Sequence, residues 1–270
     1  MASKVGDLSG RVALITGAGS GLGRATAVLL AERGARIVSV DLVADSAEAT
    51  LGLLVGDGHH AHSVDVARQE SVDAVVAAAL AAFGRIDVLV NSAGIAEGRG
   101  ATLDHDIGHW QRIVDVNLTG SYLMCQAVAR SMRDTGGGVI LNLSSIAGVI
   151  GLPRRTAYSA TKGAVSMMTK VLASEWAPYG IRVNAVAPGY IRTPLTEKLM
   201  ADGRLDVEAI LRRSPTGAMG TADDVAEALA FLASDQARFI TGVVLPVDGA
   251  YTAYGAPEDA YPGGLGDDHD

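Results

Sequence analysis

Seven short runs rich in β-branched residues recur along the chain, each but the last followed by a longer Ala/Leu-rich stretch, and this alternation restricts the fold to one broad class. The runs are 12–16, 36–40, 60–64, 86–90, 139–143, 181–186 and 243–247. The stretches between them that read as helices are 21–34, 45–55, 69–83, 107–133, 156–177 and 222–234. Compact runs that are apolar on both faces suit a parallel sheet covered on both sides. Strand followed by helix, repeated about six times, is the pattern of a doubly wound parallel α/β sheet. No solenoid-type repeat and no internal linker interrupts it, so residues 1–255 read as one domain. Within it, residues 190–217 break the alternation as a mixed, mobile segment after a strand end, the place for a substrate lid. Residues 256–270, rich in Pro, Gly and Asp, read as a flexible acidic tail.

Composition excludes several functions. The net charge is −8, and five of the acids, Glu258, Asp259, Asp267, Asp268 and Asp270, lie in the tail. The body is therefore near neutral, which argues against a surface for nucleic-acid phosphates. A single cysteine, Cys125, excludes an internal disulfide and a multi-cysteine metal site. The six histidines form no metal-ligand grouping with carboxylates; the cluster His59, His60 and His62 reads as a turn entering a strand. The N-terminus lacks a signal-peptide pattern and no apolar run reaches the roughly 18 residues of a membrane span. A soluble cytoplasmic protein, off the membrane and without a metal, is expected.

The first strand runs directly into Thr16-Gly17-Ala18-Gly19-Ser20-Gly21-Leu22-Gly23, and a helix follows. Glycine permits positive φ and lets a pyrophosphate approach the backbone, while the helix start offers free N–H groups and a positive dipole end. Nucleotide binding is the expected use of this turn. The second strand ends at Asp41, placed to accept hydrogen bonds from the adenosine ribose and to repel a 2′-phosphate. Ser20 and Leu42 stand where a phosphate-binding base could be, so NAD is expected rather than NADP.

Tyr158 and Lys162 are four residues apart in a helical stretch and so share one face. A free tyrosine, with a pKa of about 10, is a poor base at neutral pH. A nearby ammonium and a positive nicotinamide ring favour the phenolate, which can take a proton from an alcohol or return one to a carbonyl oxygen. Ser144 and Ser145 follow the fifth strand, and either hydroxyl could reach the reacting oxygen. Arg154 and Arg155 stand close before Tyr158, at the substrate mouth or a subunit contact.

Taken together, Thr16 to Gly23, Asp65-Val66, Asn91-Ser92-Ala93-Gly94, Asn117, Ser145, Tyr158-x-x-x-Lys162 and Pro188-Gly189 with Thr193 resemble the classical short-chain dehydrogenases/reductases. The likeness runs from about Leu8 to Tyr251, nearest to the branch of 3-oxoacyl-carrier-protein reductases and glucose and hydroxysteroid dehydrogenases. It implies a single-domain Rossmann-type fold and a catalytic set of Asn117, Ser145, Tyr158 and Lys162. In it Ser145, 13 residues before Tyr158, is the catalytic serine, and Asn117 holds a water beside the lysine for a proton relay. The implied cofactor contacts are Gly17, Ser20, Gly21, Leu22, Gly23, Asp41, Asp65, Val66, Asn91, Ala93, Gly94, Tyr158, Lys162, Pro188, Gly189, Ile191 and Thr193. Asn91 among them is mainly structural. Ile95, Ile146, Ile150 and Leu152, with Ser145 and Tyr158, form the expected substrate site. The expected activity is NAD-dependent interconversion of a secondary alcohol and a ketone. A 3-oxoacyl-thioester reductase is the enzyme alternative, and a catalytically silent NAD(H) sensor or scaffold the alternative of another class. The resemblance also implies a homotetramer packed through the 107–133 and 156–177 helices.

Overall fold

Backbone N–H and C=O groups buried under two helical layers must pair with each other, and the apolar runs do so in one continuous ladder. The computed structural model describes residues 6–98, 100–256 and 260. Its first half comprises β1 (Val12–Thr16), α1 (Gly21–Glu32), β2 (Arg36–Asp41), α2 (Ala44–Leu51), β3 (His60–Ser63), α3 (Gln69–Phe83) and β4 (Val88–Asn91). The next part holds α4 (Ile107–Val114), α5 (Gly120–Asp134), β5 (Gly138–Leu143), α6 (Thr156–Trp176) and β6 (Ile181–Pro188). Last come β7 (Ile191–Arg192), α7 (Pro194–Ala201), α8 (Val207–Arg213), β8 (Gly220–Thr221), α9 (Ala222–Ala233) and β9 (Val244–Val247).

Seven strands form one sheet in the order β3-β2-β1-β4-β5-β6-β9. All six pairings are parallel. This is a single-domain Rossmann-like architecture. The chain leaves β1 for β2 on one side and returns to β4 on the other, which opens a crevice at the carboxyl ends of β1 and β4. Alternation along β1 feeds both layers: Val12 and Leu14 join the core under α3 and α5, while Ala13 and Ile15 join the core under α1 and α9. Every β1 side chain is buried, each large one contributing about 1.5–3 kcal/mol of burial.

Differences from the expected boundaries have local causes. The fourth strand begins at Val88 rather than 86, because the buried Asp87 turns its carboxylate back to accept the Val12 N–H at 2.8 Å. The 45–55 helix stops at Leu51, with Gly52 at its end and Gly56 and Gly58 in the left-handed region beyond. The 107–133 stretch is not one α-helix. A π turn at 115–119 joins α4 to α5, closed by the Gly120 N–H on the Asp115 carbonyl. Residues 190–217, expected to be a mixed, mobile segment, fold into β7, α7 and α8. A capping box at Thr193 starts α7 and the Asp206 carboxylate caps α8. Leu205, Ile210 and Met219 bury a small core of their own there. The acidic tail lies, apart from Ala256 and Ala260, outside the described residues.

The turn that carries Ser145 is seated directly on α6. A Cβ at Gly148 would lie 2.6 Å from the Lys162 carbonyl carbon and 2.8 Å from the Gly163 nitrogen, with only backbone to move. Gly148→Ala should therefore lose about 1–3 kcal/mol in urea unfolding. Gly151→Ala, where a Cβ meets nothing within 4 Å, should change by no more than about 0.5 kcal/mol.

Candidate active site

The glycine turn at the top of β1 is tied to the neighbouring strand end before any ligand is considered. Thr16 Oγ1 accepts the N–H groups of Ser92 and Ala93 at 3.1 and 3.0 Å. Gly17, at φ +64°, sits so close that a Cβ would be 2.9 Å from the Ala93 backbone. Gly23 packs α1 against the Gly17 carbonyl in the same way. Gly21 is different: it holds φ +51° and a Cβ there would enter open space. Ser20 precedes α1 without making a side-chain cap, so the helix start is left available. This open, positively polarised cradle fits a dinucleotide pyrophosphate on Ser20, Gly21 and Leu22.

Asp41 closes the other end of the cradle. Its carboxylate accepts Gly19 N–H at 3.0 Å and Val43 N–H at 3.1 Å. Leu42 beside it is 66% exposed. One cation was not visible from spacing: Arg24, one turn into α1, donates to the Gly19 carbonyl and, at 3.1 Å, to Thr50 Oγ1. Further along the edge, Asp65 Oδ1 accepts the Ala67 N–H at 3.0 Å, and Val66 is buried beneath Gly120. Asn91 is buried and donates to Asn142 Oδ1 at 2.9 Å and Cys125 Sγ at 3.2 Å; Asn142 in turn donates to Thr169 Oγ1 at 3.0 Å. That chain stitches β4 and β5 to α5 and α6. Gly189 N–H, past Pro188, bonds the Val247 carbonyl at 2.9 Å. Ile191 is buried on β7, and the Thr193 hydroxyl caps α7.

The reacting centre gathers at the carboxyl end of β5. Ser144 Oγ is turned to the Lys162 carbonyl, 3.0 Å, and Ser166 Oγ, 2.7 Å. Ser145 Oγ instead accepts the Ala147 N–H at 3.1 Å and stands near enough to Tyr158 to favour its phenolate. Lys162 is 6% exposed and donates from Nζ to the Leu143 carbonyl at 2.6 Å, with Nζ 5.7 Å from the Tyr158 ring centre. Asn117 is fully buried in the π turn, where its amide brackets Ile95: Oδ1 accepts the Ile95 N–H at 2.8 Å and Nδ2 donates to its carbonyl at 3.0 Å. Gly94 fits between them, since a Cβ there would be 3.2 Å from Asn117 Oδ1 and 3.8 Å from Lys162 Nζ. Ile146 is buried and Ile150 and Leu152 are half-buried on the turn after Ser145. Sequence reasoning missed Glu97, whose buried carboxylate accepts the Tyr158 N–H at 2.9 Å. A lone acid in a loop carried no signal.

Electrostatics depart from the expected tuning. In the chain by itself the Tyr158 phenol is pushed up, not down, because burial outweighs the Ser145 hydrogen bond and the Arg155 charge. Burial also lowers Lys162 to about 8, which still leaves it mainly protonated at neutral pH. An ammonium that prefers the unfolded chain makes the unfolded state bind more protons between pH 8 and about 10.5, so stability rises with pH across that window. Lys162→Met should lack that rise: the difference in melting temperature between wild type and variant should grow in favour of wild type from pH 8 to about 10.5.

Residues 17–252 match a family model described as Enoyl-(Acyl carrier protein) reductase. The chain is 47% identical over 245 residues to cis-4-hydroxycyclohexanecarboxylate dehydrogenase of Sinomonas cyclohexanicum, covering 90% of this chain and 97% of the relative. It is 40% identical to the 3-oxoacyl-[acyl-carrier-protein] reductase of Thermotoga maritima, covering 90% and 98%. A longer relative from Sinorhizobium fredii, an uncharacterized short-chain type dehydrogenase/reductase, matches at 44% over 93% of this chain and 45% of its own length. Among solved structures, levodione reductase superposes with a TM-score of 0.87 at 36% identity, over 91% of this chain and 99% of that one. A 2-deoxy-d-gluconate 3-dehydrogenase of Agrobacterium tumefaciens with bound NADP reaches 0.82 at 37%, over 93% and 100%. By these matches the chain belongs to the classical short-chain dehydrogenase/reductase family, oxidoreductases that use a nicotinamide cofactor.

Proposed function

We propose that the chain is an NAD-dependent dehydrogenase that interconverts a small alicyclic secondary alcohol and its ketone. The observation that carries this reading is that Ser145 acts on the Tyr158 phenol and the Lys162 ammonium stands 5.7 Å from the Tyr158 ring centre, all at one end of the cradle. Bound NAD would supply the hydride acceptor for the carbinol carbon. Ser20, Gly21 and Leu22 would hold its phosphates, Asp41 its ribose, Asp65 and Val66 the adenine, and Pro188, Gly189, Ile191 and Thr193 the carboxamide, with Ala93 and Gly94 as further contacts.

The chain's own groups handle the proton. Ser145 holds the substrate oxygen and Tyr158, as phenolate, takes its proton. Lys162 and Arg155 favour that phenolate against burial, while Asn117 keeps Ile95 and the path past Lys162 in place. Ile95, Ile146, Ile150 and Leu152 provide an apolar wall, with residues 190–217 closing over it as a lid. Arg155 acts on the phenol from nearby and also favours an alcohol that carries a carboxylate, as in the name of the Sinomonas relative. Asp41, anchored on Gly19, supports NAD over NADP. Arg24 sits on the same residue but is committed to Gly19 and Thr50.

Two tests follow. Absorbance at 340 nm with cyclohexanol, cis-4-hydroxycyclohexanecarboxylate, a sugar, a steroid and a 3-hydroxyacyl thioester should show turnover on the alicyclic alcohols, highest on the carboxylate, and preference for NAD. Tyr158→Phe should lose at least about 1,000-fold in kcat while still binding NAD. NADP preference with thioester turnover would select the acyl reductase reading. Retained NAD binding without any turnover would select a sensor.

The exposed Tyr122, Met167, Val171 and Tyr179 lie on α5, α6 and the turn after α6, beside a shallow pocket that includes Arg130 and Trp176. This face supports assembly as a homotetramer. Light scattering should then give about four times the 27.7 kDa chain.

A further inference from the structure

The helix that carries Tyr158 and Lys162 begins without the usual local supports. Arg155 at its N-cap makes no side-chain capping bond, and no acidic residue occupies the first turn of α6. Instead, the N–H of its third residue, Tyr158 itself, is taken at 2.9 Å by Glu97 Oε2, a residue 61 positions earlier in the chain. Glu97 is only 4% exposed, and a carboxylate so buried needs a compensating partner. His105 Nδ1 stands 3.0 Å from the other oxygen, Oε1, which has no hydrogen-bond partner among the described residues. Thr102 and Thr156 share a hydrogen bond of 2.7 Å beside it, and the His105 ring meets His109 edge-on at 5.7 Å. Gly100 is crowded against the same imidazole: a Cβ there would be 2.7 Å from Nε2.

These contacts connect two parts of the site. The segment that starts at Ile95, the expected substrate wall, is held at one end by Asn117 and at the other by α6. We propose that Glu97 is a positioning residue: it caps α6 from the loop after β4, sets Tyr158 along the helix axis, and with His105 holds residues 95–98 and 100–105 against the start of that helix. Tyrosine placement and the shape of the alcohol pocket are thereby coupled. The proposal rests on the reading that Tyr158 transfers the proton.

The test compares Glu97→Ala, Glu97→Gln, His105→Phe and Tyr158→Phe. Glutamine keeps a carbonyl oxygen for the Tyr158 N–H, so Glu97→Gln should retain kcat within about threefold. Glu97→Ala should lose about 10- to 100-fold in kcat with NAD affinity within about twofold, as a displaced reacting group does. His105→Phe should raise KM for the alcohol several-fold and leave kcat within about threefold. Hydrogen exchange read by mass spectrometry gives a second readout that needs no substrate. Amides of the first turn of α6 should exchange about tenfold faster in Glu97→Ala and not in Glu97→Gln, with the rest of α6 unchanged.

Unchanged kcat and exchange in Glu97→Ala, or equal damage in Glu97→Ala and Glu97→Gln, would overturn the proposal and leave Glu97 a packing residue. If Glu97→Ala does not fold, faster exchange at the first turn in Glu97→Gln would overturn it and unchanged exchange would sustain the cap. Full turnover in Tyr158→Phe would overturn the reading of Tyr158 instead, while the exchange data would still report the cap.

Discussion

A parallel sheet covered on both faces has only its strand ends free for chemistry, and this constraint shapes the whole molecule. Val12, Leu14, Ala13 and Ile15 are spent on two separate cores, so no side chain of β1 is left for a ligand. What remains is the carboxyl edge, where the turns after β1, β2, β4, β5 and β6 meet. The strand order splits at β1 and β4, and there the edge opens into a crevice. The glycine turn, Asp41, Ser145 and Pro188-Gly189 all belong to that one edge.

Holding such an edge in register requires buried polar groups, and several of them meet a specific partner. Asn91, Asn142 and Thr169 link two strands to two helices through a chain of hydrogen bonds. Asp87 returns its carboxylate to the start of β1. Lys162 is buried too: burial lowers it to about 8, and its Nζ donates a hydrogen bond to the Leu143 carbonyl. That carbonyl closes β5 just before Ser145. The buried ammonium is thus tied to the end of the strand that leads to Ser145.

The interrupted helix shows how one local irregularity positions another. Asn117 sits in the π turn between α4 and α5, where the backbone widens enough for its amide to bracket Ile95. Through Ile95 the turn reaches Glu97 and the start of α6. Tyr158 is therefore located by contacts from β4's loop, from β5's turn and from its own helix. The first of these lies 61 residues before Tyr158 in the chain.

The sequence by itself determined the layers and the order of strand and helix. Alternation and β-branching mark elements because burial on both faces demands them locally. The glycine turn, Asp41 and the four-residue spacing of Tyr158 and Lys162 are legible because backbone geometry and helical period act over a few residues. The resemblance already singles out Ser145, and the tertiary structure adds the reason: Ser144 Oγ is turned to the Lys162 carbonyl and to Ser166. Only the tertiary structure placed Arg24 on Gly19 and Glu97 on Tyr158, and raised the phenol rather than lowering it. Long-range hydrogen bonds and desolvation decide such matters. Both depend on which distant segments exclude water from a point, and no pattern within one segment encodes that.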